Sequence, residues 1–151
     1  MCVAHVQHCS CGARSVSLQF RDNILSEQVV AELYCPSCSQ KPVIDQNTML
    51  SDNGWIIVYN MDIAKFAGSK SIEHPITPAV LFDEGYCTWN GIYPGDTIDS
   101  VAERAKITSL AKTDPREYVK RLTSWGVDRM ERLAGEGWRK AREGAVEKTA
   151  L

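Results

Sequence analysis

Apolar and polar residues alternate strictly from Ser15 to Phe20, with Val16, Leu18 and Phe20 on one side and Ser15, Ser17 and Gln19 on the other. This is the period of a half-buried strand. A second run, Val29-Val30-Ala31-Glu32-Leu33-Tyr34, is β-branched and aromatic, and Arg21-Asp22-Asn23 between the runs reads as a turn. The pattern predicts that the two strands pair as one hairpin. Farther on, Ser51-Asp52-Asn53-Gly54 is a turn signal, and Trp55-Ile56-Ile57-Val58-Tyr59 behind it is the least polar stretch of the chain, a predicted core strand. Asn90-Gly91 lies between the aromatic-rich arms Tyr86-Cys87-Thr88-Trp89 and Ile92-Tyr93, which predicts another hairpin.

Elsewhere the spacing turns helical. Asn60 or Asp62 can cap a short helix through Ile63, Ala64 and Phe66, and Thr77-Pro78 places a capping hydroxyl before a proline at the first helical position. Asp96 or Thr97 can cap a helix carrying Ile98, Val101, Ala102, Ala105, Ile107 and Leu110 on one face. Asp114-Pro115-Arg116-Glu117 is a capping box, followed by Val119, Leu122, Gly126, Met130 and Leu133 at helical intervals. Gly126, Gly135 and Gly137 are expected to kink or weaken that helix. The last stretch, Glu136 to Leu151, mixes Arg139, Lys140 and Arg142 with Glu136, Glu143 and Glu147, the pattern of a solvated helix or tail.

The cysteines change this picture. Cys9-Ser10-Cys11-Gly12 precedes the first alternating strand and Cys35-Pro36-Ser37-Cys38 follows the second, so the predicted hairpin would bring the two pairs together. Four thiolates converging on one ion are the ligand set of a structural zinc site, with each sulfur about 2.3 Å from the metal and no coordination position left open. Cys9, Cys11, Cys35 and Cys38 are therefore the candidate metal ligands, one Zn2+ per chain. His8 is an alternative to Cys9, since His8-Cys9-Ser10-Cys11 also supplies a His-x-x-Cys knuckle. Iron held by four thiolates is the alternative metal. His5 and His8, with Cys2 nearby, could build a second metal site, against the plainer reading of Met1 to Gln7 as a lead-in strand.

Residues from about Val6 to Ile44 resemble the zinc-ribbon superfamily, with Cys35-Pro36-Ser37-Cys38 as the second knuckle and Pro42-Val43-Ile44 as a candidate third strand. The resemblance covers about a quarter of the chain. The first knuckle departs from the family pattern in being Cys-x-Cys, and Ser39 stands where a glycine commonly follows the second. The resemblance implies a ribbon whose metal is structural.

Composition bounds the rest. With 151 residues, 44% apolar and 24% charged, the chain has the make-up of a soluble globular protein, and no run approaches the length of a membrane span. The N-terminus carries no basic segment followed by an apolar run and a cleavage site, so a cytoplasmic location is expected, where clustered cysteines hold metals rather than disulfides. The net charge of −2 does not favour a general nucleic-acid binder. Its distribution is uneven: residues 51–100 hold two basic and seven acidic side chains, residues 101–151 twelve basic and eight acidic.

One constellation raises catalysis: His74, Asp83, Glu84 and Cys87, with Trp89 close by. A Cys-His pair makes a nucleophile only if the side chains meet and a third group orients the histidine. Nothing in the spacing requires this, and a strand cysteine is ordinarily a small buried hydrophobe.

The expected fold class is α+β: a zinc ribbon at 1–45, a mixed strand-and-helix segment at 46–96 packed with it, and a helical region at 97–151. The expected function is that of a zinc-binding, non-catalytic interaction protein, an adaptor or accessory subunit of a larger assembly. A nucleic-acid-associated regulatory ribbon protein is the alternative. An enzyme working through His74 and Cys87, with a small molecule among Trp55, Tyr59, Trp89 and Tyr93, is the second. A protein partner is expected, and an unpartnered apolar stripe on the C-terminal helices would make a second copy its simplest cover.

Overall fold

A computed structural model describes residues 2–21, 24–73 and 75–141. The chain divides into two compact units, Met1–Asn90 and Gly91–Leu151.

The first unit is built on two small antiparallel sheets. β1 (Cys2–His8), β2 (Ser15–Arg21) and β6 (Cys87–Trp89) form one, in the order β1-β2-β6. β3 (Val30–Tyr34), β4 (Met49–Asp52) and β5 (Trp55–Tyr59) form the other, in the order β3-β5-β4. The fold is thus α+β with an N-terminal hairpin, but the hairpin is not the expected one. β2 pairs with β1 in an unbroken register from Cys2 opposite Arg21 to His8 opposite Ser15, and β3 pairs with β5 instead. Alternation says which face of a strand is buried, not which strand lies beside it. Two partners unused in the sequence reading, the lead-in strand and the core strand, took the pairing edges. Asp22 and Asn23 of the expected turn lie outside the described residues. Pro42-Val43-Ile44 is not a strand, and Val43 is 93% exposed.

The expected strand Trp55–Tyr59 is the centre of its sheet, and its turn has the two-residue form, with Asn53 at φ 51° and Gly54 at φ 92°. Only glycine enters that conformation without penalty, and here it also leaves room, because a Cβ on Gly54 would stand 3.1 Å from the Pro36 ring. The core draws on both sheets. Leu18, Leu33, Ile57 and Trp89 are all fully buried, and Trp89 meets Trp55 and Phe82 edge to face at 5.9 and 5.8 Å. The Tyr59 hydroxyl donates to the Cys87 carbonyl (2.9 Å), and the Trp89 indole N–H donates to the Asp52 carboxylate (2.7 Å). Asp52, read from sequence as a turn residue, is 2% exposed. Around this core sit α1 (Met61–Gly68), capped by the Asn60 side chain at 3.2 Å, and α2 (Pro78–Asp83), capped by the Thr77 hydroxyl at 3.2 Å. A 3-10 turn, Glu27–Val29, leads into β3.

No second hairpin forms at Asn90-Gly91: β6 is three residues long and lies against β2. The second unit then begins, with α3 (Asp96–Thr108) and α4 (Pro115–Glu136). The capping box at Asp114 is present, its carboxylate accepting from the Glu117 N–H at 3.2 Å. Gly126 and Gly135 do not interrupt α4, which ends at Gly137 in a left-handed turn whose N–H bonds back to the Leu133 and Ala134 carbonyls. Gly95, not Asp96, occupies the α3 cap position. Asp96 is instead 4% exposed, accepts from the Ile92 N–H at 2.7 Å and pairs with Arg129 of α4. A side chain on Gly91 would collide with it at 2.7 Å. The face of α3 expected to be buried is not: Ile98 and Val101 are 76% and 66% exposed. Asp96 and Glu103 face α4 in their place, the latter accepting from the Trp125 indole at 2.9 Å. Polar anchors outweighed the apolar count. Residues 142–151 of the expected tail lie outside the described residues.

Candidate metal centre

Two connecting segments, one from each sheet, make the centre. Cys9 and Cys11 lie in the turn from β1 to β2, and Cys35 and Cys38 follow directly on β3. The first turn is shaped by two backbone bonds, from the Cys9 N–H to the Arg14 carbonyl (2.9 Å) and from the Gly12 N–H to the Cys9 carbonyl (2.8 Å). The second is closed by the Cys38 N–H on the Cys35 carbonyl (3.1 Å). A bond from the Ser10 N–H to the Leu33 carbonyl (2.9 Å) stitches the first turn to β3. The knuckles therefore meet although their strands do not pair.

The sulfurs converge. Cys11 Sγ lies 3.3 Å from Cys9 Sγ and 3.8 Å from Cys35 Sγ, and the sulfurs of Cys9, Cys11 and Cys38 are all within 4.8 Å of one another. Four sulfurs each about 2.3 Å from a tetrahedral ion stand about 3.8 Å apart; Cys9, Cys11 and Cys38 form one convergent group, whereas Cys35 approaches Cys11 but does not lie within 4.8 Å of all three. A disulfide would draw two sulfurs to about 2.05 Å. Cys9, Cys11, Cys35, Cys38 and Cys87 are all free thiols. Cys9, Cys35 and Cys38 are buried and Cys11 is exposed, so the cluster opens to solvent on one side. The cysteine cluster could hold a metal ion.

The electrostatics favour thiolate on Cys9 and thiol on Cys11. Burial works against charge on Cys9, but hydrogen bonds from the backbone N–H groups of Cys11 and Cys35, the latter at 3.1 Å, outweigh it and lower the thiol to about 6. The backbone N–H of Ala13 draws Cys11 down, yet its own bond to Cys9, desolvation and the neighbouring Cys35 sulfur raise it to about 11. Crowded thiols resist multiple ionisation because like charges repel, which a divalent cation reverses.

His8 ends β1 on an exposed face and is not part of the cluster. His5 and His8 are three apart on a strand, so their side chains leave opposite faces and do not converge. His5 instead stacks edge-on against Phe20 (5.6 Å) and meets Glu27 at 3.0 Å.

Of the catalytic candidates, His74 lies outside the described residues. Cys87 is fully buried, and that burial pushes its thiol far above the usual range, against its forming a nucleophilic thiolate. Trp55, Tyr59 and Trp89 are core residues of the first unit, and Tyr93 stacks on Trp138 in the second (5.6 Å). The contact that sequence reasoning missed is that of the Ser10 N–H, which ties the first turn to Leu33 of β3; a backbone donor leaves no signal in residue type.

No family model, curated protein or solved structure matches the chain. Among the described residues, no helix is long and apolar enough to cross a membrane.

Proposed function

We propose that the chain is a zinc-binding, non-catalytic interaction protein of the zinc-ribbon kind, an adaptor or accessory subunit in which one Zn2+ clasps Cys9, Cys11, Cys35 and Cys38. The observation that carries this reading is the convergence of thiols from two separate sheets, with Cys11 Sγ 3.8 Å from Cys35 Sγ. Four thiolates complete a zinc shell and leave no position for substrate, the arrangement of a structural rather than a catalytic ion. Zinc would supply no reaction step here; it would hold the β1–β2 turn against the end of β3. The soft ligand set supports zinc, and the buried, proton-holding Cys87 supports a non-catalytic role. A protein partner is supported by the uncovered Ile98 and Val101 on α3, beside a hollow of about 690 Å3 lined in part by Val101, Ala105 and Ala111.

Native mass spectrometry of gently purified protein tests the reading. One zinc per chain, lost in Cys38→Ser, with no small molecule retained, is expected. Iron in place of zinc, or a stoichiometric small molecule, would overturn it.

A further inference from the structure

Sheets are closed to unwanted partners at their edges, and this molecule guards its edges unequally. An unpaired edge offers a row of free N–H and C=O groups to any extended strand, and proteins blunt it by shortness, charge, proline, bulges or cover. β6 is only three residues long and wholly buried. β4 is four residues long and ends in a charge, Asp52. β3 carries Glu32, has an irregular register between Val30 and Glu32, and gives its Leu33 carbonyl to Ser10.

β1 has none of these devices. It runs seven residues, Cys-Val-Ala-His-Val-Gln-His, without proline, lysine or acidic residue. Its register with β2 is unbroken, so the strand is straight enough to accept a neighbour along its whole length. It lies at the end of its sheet, and no described strand pairs with its outer side. Ala4, Val6 and His8 are exposed, Val6 at 65%.

We propose that β1 is a docking edge and that its occupant is β1 of a second copy of this chain, paired antiparallel about a two-fold axis at His5. Self-pairing about that residue sets Ala4 opposite the partner's Val6 and Val3 opposite the partner's Gln7. In an antiparallel pair, opposite residues share a face. The exposed Val6 thus gains an apolar neighbour, and Val3 and Gln7 stay on the less exposed face. An uncharged edge selects no partner of opposite sign, and it meets its own copy without repulsion. The two-fold symmetry makes the same patch serve both sides. His5 faces the partner's His5 across the axis, and each keeps its contact with Glu27 at 3.0 Å. Two three-stranded sheets become one of six. A strand-only interface is smaller than a standard protein interface, so the association is weak and concentration-dependent. The proposal goes beyond the zinc reading and does not depend on it.

Sedimentation equilibrium of the full chain, metal-loaded and under reducing conditions, from micromolar to millimolar concentration tests the pairing. The unmodified protein is expected to pass from monomer to dimer. Val6→Lys, which adds the guard the edge lacks, is expected to raise the dissociation constant at least about tenfold. Val43→Lys, at an exposed loop position outside β1, is expected to change nothing. Hydrogen exchange on the unmodified protein gives a variant-free readout: alternate β1 amides should gain protection as concentration rises. A monomer throughout the range, a dimer unaffected by Val6→Lys, or a dimer lost only in Val101→Lys on α3 would each overturn the proposal, the last assigning the dimer to the helices.

Discussion

The two units of this chain solve the same problem with different materials. Met1–Asn90 has strands from two sheets, a shared aromatic core around Trp89 and a thiol cluster where the β1–β2 turn meets the segment after β3. Gly91–Leu151, as far as it is described, has two helices held by polar anchors: Asp96 with Arg129, and Glu103 with Trp125 and, at 3.6 Å, Arg132. One unit gathers distant segments at a thiol cluster that could hold a metal ion; the other fastens neighbouring helices through buried charge. The lesson is that each unit has a separate point of failure, and a change in one should leave the other's local readout intact.

The largest effect is expected at the thiols. Zinc binding contributes about 10 to 16 kcal/mol of apparent free energy in finger peptides. Chelation, or Cys38→Ser, should therefore cost the first unit several kcal/mol and release the Ser10 and Cys35 amides to rapid exchange. The amides of α4 should keep their protection. If denaturation midpoints were unchanged after complete metal removal, the aromatic core alone would hold the first unit and the contrast would collapse.

Next is the ion pair. Arg129→Met leaves the Asp96 carboxylate buried without its counter-charge, a loss of about 3 to 5 kcal/mol. Urea unfolding followed by Trp125 and Trp138 fluorescence should report it, with metal content unaltered. A change below about 1 kcal/mol would mean that the Ile92 N–H alone satisfies Asp96.

A smaller effect is expected where the sheets share a polar bond. Trp89→Phe keeps most of the ring but removes the donor to Asp52, costing about 1 to 3 kcal/mol. Thermal unfolding should show the loss in the first unit. Gly54→Ala, which forces a Cβ into a left-handed turn 3.1 Å from Pro36, should cost about 1 kcal/mol or more.

The smallest is a pH effect in the second unit. Burial, then the hydrogen bond to Asp99, raises the Tyr93 phenol from 10.0 to about 12. A raised folded-state value stabilises below the unfolded one and is lost as pH rises through the folded one. Tyr93 should therefore add a modest stability that is complete below about pH 10 and gone above about pH 12. Tyr93→Phe should remove the late component of the phenolate absorbance titration. An unchanged titration curve would assign that component elsewhere.

Much of the site was legible because its signals are local. Cys-x-Cys and Cys-Pro-Ser-Cys act over three or four residues, and Asn60, Thr77-Pro78 and Asp114-Pro115 cap their helices through bonds to the next turn. The Asn53-Gly54 turn likewise depends on two residues' own dihedral preferences. Asp52 was misread for the same reason: in a turn-rich string an aspartate reads as local, whereas its partner, Trp89, lies 37 residues away. On α3 an apolar count favoured Ile98 and Val101, but a carboxylate with a guanidinium opposite took the buried face.

The residues by themselves determined the core strand Trp55–Tyr59, the caps of α1, α2 and α4, an α+β class and the thiols that could gather about a metal. Each of those follows from short-range sterics, capping or ligand chemistry. Only the tertiary structure decided that β2 joins β1 and not β3, and that the knuckles are bridged by Ser10 and Leu33 instead of by a shared hairpin. A strand's alternation specifies a face and leaves its neighbour open. The neighbour is chosen by whichever arrangement buries the most apolar surface while pairing every backbone group, and that is a property of all the strands at once.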